Sequence, residues 1–159
     1  MNGRCILLVE DNSDDVLLLE HAFKKVGWSS ALKIVRNGEQ AIAYLGGTGV
    51  YTDRQQYPFP FLVLLDLRMP GTDGFDVLQW ARAQPSLKRL LIVVLTSSNV
   101  QADVDRAYEL GANSYLVKPV AIEEMANLIQ RFQAYWAEIN RTPTAPASVQ
   151  IPHPETMFP

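Results

Sequence analysis

Short runs of Val, Ile and Leu alternate with longer stretches whose apolar residues recur every three or four positions, from Cys5 to about Ile139. That rhythm predicts strand–helix–strand units. The first strand runs from Cys5 to Val9. After it Val16, Leu19, Ala22, Phe23 and Val26 share one helical face, with Asn12 or Ser13 available as N-cap and Gly27 as terminator. Leu32 to Val35 reads as a short second strand ended by Asn37-Gly38. Ala41, Ile42 and Leu45 then form a brief second helix stopped by Gly46-Gly47.

Residues 46 to 60 carry glycines and prolines beside Thr, Asp and Gln, the composition of a surface loop rather than a domain boundary. Phe61 to Leu65 is a continuous apolar run, as expected of a central parallel strand covered on both faces, and Asp66 ends it abruptly. Pro70-Gly71 turns the chain into a third helix, Gly74 to Ala83, and Leu90 to Leu95 follows as a fourth strand. A fourth helix is expected to start at the capping-box pattern Ser98-Asn99-Val100-Gln101 and to end at Gly111, with Ser114 to Val117 as the fifth strand.

The last helix starts after Pro119 and aligns Ile122, Met125, Ile129, Phe132, Trp136 and Ile139 on one stripe, with Leu128 and Tyr135 beside it. Ala121 stands where a capping acceptor is usual, an omission that costs about 1 kcal/mol. Beyond Arg141 come Thr, Ala, Ser and five of the ten prolines, so residues 141–159 are expected to be a tail, disordered or acting as a docking arm, behind one domain at 4–140.

The 159 residues are 48% hydrophobic and 19% charged, enough for one core and incompatible with global disorder. A net charge of -3 offers no basic field for phosphate backbones, so nucleic acid is not an expected partner. No apolar run reaches the ~18 residues of a bilayer span, and the five after Arg4 are too few for a signal peptide. A soluble, cytoplasmic protein with no membrane partner is expected. The single Cys5 lies inside an apolar run and reads as a small buried thiol.

Five strands and five helices in alternation build an α/β, doubly wound parallel sheet with helices on both faces, whose ligands bind outside the carboxyl ends of the strands. Those ends carry Glu10-Asp11, Asp66, Thr96 and Lys118. With a strand order of 2-1-3-4-5, Glu10, Asp11 and Asp66 converge at the switch point, and three carboxylates in one crevice call for a cation. Oxygen-only donors favour Mg²⁺, with Asp11 and Asp66 as direct ligands, Glu10 acting through water and the backbone carbonyl of Arg68 as a further donor. Asp66 is also a possible nucleophile that accepts a phosphoryl group. Mg²⁺, Lys118 and the Thr96 hydroxyl would then each stabilise one phosphoryl oxygen.

Leu7-Leu8-Val9-Glu10-Asp11-Asn12, Leu65-Asp66-Leu67-Arg68-Met69-Pro70-Gly71, Val94-Leu95-Thr96-Ser97 and Tyr115-Leu116-Val117-Lys118-Pro119, each following a strand, together resemble the receiver domain of bacterial two-component response regulators. The resemblance covers residues 4 to about 139. It implies a flavodoxin-like fold, with Asp66 taking phosphate from the phosphohistidine of a sensor histidine kinase and Glu10 and Asp11 as the acidic pair. It further implies that Thr96 and Tyr115 form a conformational switch, that Lys118 senses the phosphate, and that helix four, strand five and helix five report the change. The lack of an output domain resembles a stand-alone regulator. The long 46–60 segment and the aromatic Tyr135-Trp136 resemble regulators that partner phytochrome-type kinases. Arg68 and Ser98, each two residues past a motif residue, stand where side chains overhang the phosphate in such domains and bear on its lifetime.

Two other readings compete. A pseudo-receiver would be an interaction module that is never phosphorylated, but its usual mark is loss of acidic residues, and none is lost here. An aspartate-nucleophile phosphohydrolase would carry Asp-x-Asp, where this chain has Arg68 in the second position and so lacks the general acid. The apolar flank of the last helix also suggests a homodimer through that helix.

Overall fold

The computed structural model describes residues 4–146. Five parallel strands, β1 (Ile6–Val9), β2 (Leu32–Val35), β3 (Leu62–Leu65), β4 (Leu91–Thr96) and β5 (Ser114–Val117), form one sheet in the order 2-1-3-4-5. The helices between them are α1 (Ser13–Lys25), α2 (Gly38–Gly46), α3 (Gly74–Ala83), α4 (Gln101–Glu109) and α5 (Ile122–Gln133). The register is continuous across the centre: Val9 stands beside Val35 and Leu65, and Leu65 beside Val94.

The two cores follow from strand alternation, because successive side chains point to opposite faces. Leu7, Val9, Val63, Leu65, Ile92 and Val94 pack under α2 and α3 with Tyr44, Phe75 and Leu78. Ile6, Leu8, Leu62, Leu64, Val93 and Leu95 pack under α1 and α5 with Leu19, Phe23, Met125, Ile129 and Phe132. Both cores are covered, so the central strands read as unbroken apolar runs.

Loop 46–60 is tied to the body by aromatic side chains and one arginine. Tyr44, Tyr51 and Tyr57 meet with ring centroids 5.0 to 6.0 Å apart. Arg54 donates to the carbonyls of Tyr44 and Leu45 at the end of α2, groups that have no partner inside the helix. Cys5 is buried, as its setting suggests, and Tyr44 Oη donates to Pro58 O at 2.9 Å.

Three sequence expectations need correction. Cys5, Phe61 and Leu90 lie just outside their strands, whereas Thr96 lies inside β4. Ser98 does not cap α4: the N-cap is Val100, without a side-chain bond, and the Ser98 oxygen accepts from Val100 N at 3.3 Å while its hydroxyl donates to Asp103. On the last stripe Met125, Ile129 and Phe132 are buried, but Ile122 and Ile139 are exposed. The chain winds as a π-helix over Ala134–Ile139, and the wider turn shifts the phase so that Ala137 faces the core in place of Ile139. The start of the tail, residues 142–146, lies beside Arg4, Phe61 and Arg89, where Arg4 Nη1 donates to Thr142 Oγ1 at 3.3 Å. The expectation for 147–159 lies outside the described residues.

Candidate functional site

The site is built by letting the strand ladder run one step past the strands. Glu10 N donates to Val35 O at 3.1 Å and Asp66 N to Val9 O at 3.1 Å, which sets Glu10 and Asp66 side by side at the carboxyl edge. On the far side Lys118 N donates to Thr96 O at 2.8 Å, aligning those two in the same way. Gly74, the first residue of α3, is needed here: a Cβ would overlap the Asp66 carbonyl and lie 2.7 Å from Leu67 Cα.

Glu10, Asp66 and Thr96 are buried. Glu10, Asp11 and Asp66 each offer an oxygen within 4.8 Å of the others, Asp11 being the most open of the three. Lys118 reaches in from the end of β5 with a side chain only 5% exposed. Its Nζ donates to Glu10 Oε2 and, at 3.0 Å, to Asp15 Oδ2, and it stands 3.4 Å from Asp66 Oδ2. Burial would push the Lys118 ammonium down, but the bond to Glu10 and the charge of Asp66 outweigh it and hold the pKa above its ordinary value. Burial pushes the Glu10 carboxyl up to about 7, and Asp66 adds to the rise against the pull of Lys118. One ammonium stands against Glu10, Asp15 and Asp66, with Asp11 alongside, and so does not fully offset the acidic cluster. A divalent ion fits such a donor set: oxygens only, partly uncompensated, and close enough to share one hard cation.

Around this centre the structure adds partners that sequence spacing does not reveal. Asp15, in the first turn of α1, is a third anion for Lys118, although in sequence it looks like any acid at a helix start. The Arg68 side chain, 64% exposed, turns from the acids to Asp103 on α4, with Nη2 to Oδ2 at 2.6 Å. Tyr115 is half-buried, and its hydroxyl donates to Ser98 O at 2.8 Å. Glu39 Oε1 accepts from Thr72 Oγ1 at 2.8 Å, pinning the loop after Asp66 to the start of α2. The predicted residues Glu10, Asp11, Asp66 and Lys118 are thus gathered around one crevice, with Thr96 at its edge, and Tyr115 and the Arg68 side chain stand outside it.

Residues 6–130 match the response regulator receiver domain. The chain is 38% identical over 142 residues to the response regulator Rcp1 of Synechocystis, covering 89% of this chain and 95% of the relative. The Mn²⁺-bound form of Rcp1 superposes with a TM-score of 0.77 at 36% identity, over 89% of this chain and all of the other. The phosphorylated cyanobacterial phytochrome response regulator RcpA gives a TM-score of 0.81 at 32% identity, over 89% of this chain and 99% of the other. Among the described residues no helix is long and apolar enough to cross a membrane.

Proposed function

The chain belongs to the response regulator receiver domain family, and from that premise we propose that it carries a signal by accepting a phosphoryl group on Asp66 from the phosphohistidine of a sensor histidine kinase. The observation that carries the reading is the placement of Asp66: a buried carboxylate at the end of a central strand, 3.4 Å from the Lys118 ammonium and within 4.8 Å of two other acids. An Asp66 Oδ attacks phosphorus, the P–N bond breaks, and its electron pair returns to the kinase imidazole. Asp11 and Asp66 would hold Mg²⁺ directly, Glu10 through water, with the Arg68 carbonyl as a further donor. The bound ion supplies positive charge to the acceptor carboxylate and the incoming phosphoryl oxygens.

Lys118 serves both states. Before transfer it offsets Glu10, Asp15 and Asp66; afterwards its ammonium holds a phosphoryl oxygen, and the Thr96 hydroxyl holds another. As Thr96 turns toward the phosphoryl group it vacates space beside Tyr115, and the ring moves in. The face of α4, β5 and α5 then presents a different surface to a partner protein.

Likeness to RcpA and Rcp1 supports a phytochrome-type kinase as the phosphoryl source. The exposed Ile122, Tyr135 and Ile139 support a homodimer through the last helix.

Intact mass after incubation with acetyl phosphate tests the reading. One phosphoryl adduct that requires Mg²⁺ and is absent in Asp66→Asn is the expected result. No adduct in the wild type under any condition overturns it in favour of a pseudo-receiver. Repeated hydrolysis of phosphomonoesters would instead make the protein an enzyme.

A further inference from the structure

Asp103 Oδ2 accepts two bonds of 2.6 Å, one from Arg68 Nη2 and one from Ser98 Oγ. The donors come from the two loops flanking the crevice, each two residues beyond a group assigned to phosphoryl chemistry, Asp66 and Thr96. A single carboxylate on α4 therefore holds both loops. The Tyr115 hydroxyl is bonded to the Ser98 carbonyl and feels the charges of Asp103, Arg68 and Asp66 together, so all of them gather at this rim.

Three features make the hold releasable. The Arg68–Asp103 pair is open to water on the arginine side, where an ion pair contributes little and exchanges readily. A phosphoryl group on Asp66 would offer a guanidinium more charge and a bidentate geometry. Asp103 would not be stranded, because Arg106, 4.1 Å over the Phe75 ring that also faces Arg68, already acts on its charge. The helix Asp103 anchors is otherwise lightly held: Ala107 is its one buried residue, and its N-cap makes no side-chain bond.

Resting on the receiver reading above, we infer that Asp103 is the positioning residue that holds Arg68 away from Asp66, and that Arg68 leaves it for the phosphoryl oxygens once Asp66 is phosphorylated. One ion pair then sets two properties: how firmly the first turn of α4 is anchored, and how long the acyl phosphate survives. In its loss, water attacks phosphorus in line with the bond to Asp66. That P–O bond breaks, its electron pair returns to the carboxylate, and the water's oxygen and protons leave with inorganic phosphate and solvent. Arg68 on the phosphoryl oxygens covers the open side from which water arrives. Asp103 competes for Arg68 and so shortens the lifetime.

The full chain is phosphorylated with acetyl phosphate and Mg²⁺, the donor is removed, and decay of the adduct is followed by intact mass. Asp103→Asn should lengthen the half-life about fivefold, the scale of one exposed ion pair. The gain should vanish in an Arg68→Ala background, and Asp103→Glu should restore wild-type decay. Amide exchange of residues 99–105 should rise on phosphorylation in the wild type and be already raised in unphosphorylated Asp103→Asn and Arg68→Ala. A wild-type adduct whose decay is unchanged in Asp103→Asn, or a change that persists without Arg68, overturns the latch alone. Absence of any wild-type adduct overturns the receiver reading and the latch with it.

Discussion

Lys118 Nζ stands 3.4 Å from Asp66 Oδ2 while bonding Glu10 and Asp15, so one ammonium from the end of β5 faces acids from β1, α1 and β3. Removing it leaves those acids facing one another in a crevice where Glu10 and Asp66 are buried. Lys118→Met should lower stability at neutral pH by about 3 kcal/mol, the cost of stripping one partner from a buried pair. Added Mg²⁺ should recover part of that loss by binding the same carboxylates. Thermal melts with and without Mg²⁺ check both; a variant as stable as the wild type would show that the lysine is not needed to offset the acids.

Gly74 gives a steric test of how the acceptor is placed. Its position against the Asp66 carbonyl leaves no room for a methyl group, and the overlap is with backbone rather than a movable side chain. Gly74→Ala should cost about 2 kcal/mol, as overpacking does, and should slow phosphoryl uptake from acetyl phosphate because β3 must shift to relieve the overlap. Urea titration and adduct formation by intact mass are the two readings.

Residues that end strands were the most legible in the sequence, for a physical reason. Glu10, Asp66, Thr96 and Lys118 each interrupt or close an apolar run, and a parallel sheet brings the carboxyl ends of its strands to one edge. Helix positions followed from the same alternation, whereas the strand order came with the resemblance to receiver domains. What pairs across the edge left no local mark. Asp103 lies 35 residues from Arg68, and Asp15 lies 103 from Lys118, so neither contact is written in spacing. The Ser98 capping pattern misled because the Ser98 oxygen accepts from Val100 N, ahead of the first helical residue, and its proton goes to Asp103. The stripe to Ile139 misled because periodicity counting assumes an α-helix, and the chain changes to a π-helix at Ala134.

Arg82 ties three segments together. Its Nε donates to Gly111 O at 3.0 Å, Nη1 to Leu87 O at 2.9 Å, and Nη2 to Asn113 Oδ1 at 3.0 Å; the same Asn113 oxygen accepts from Ile92 N at the start of β4. Arg82→Ala should destabilise by about 3 kcal/mol, since the carbonyls lose a charged donor in a half-buried setting. Arg82→Lys should recover less than half, because an ammonium cannot reproduce the planar fork. Denaturant midpoints of the three proteins decide it; equal midpoints for Ala and wild type would remove Arg82 from the fold's support.

Glu39 supplies a pH-dependent tether for the loop after Asp66. The Thr72 hydroxyl, the Glu39 backbone N–H and the Thr72 backbone N–H hold its carboxyl below the usual 4.5. The unfolded chain thus binds the proton more readily than the folded one in the window just under that value. The contribution to stability is complete above about pH 4.5 and is lost as pH falls through the folded value. Because Glu39 is exposed, water weakens the tether, and Glu39→Gln should cost only about 0.5 kcal/mol at pH 7. At a pH below the folded value the wild-type side chain is protonated too, and the two proteins should unfold at the same urea concentration. A difference that persists undiminished into acid would mean that the variant acts by disturbing packing around Gly71 and Thr72, and not by removing the charge that holds them.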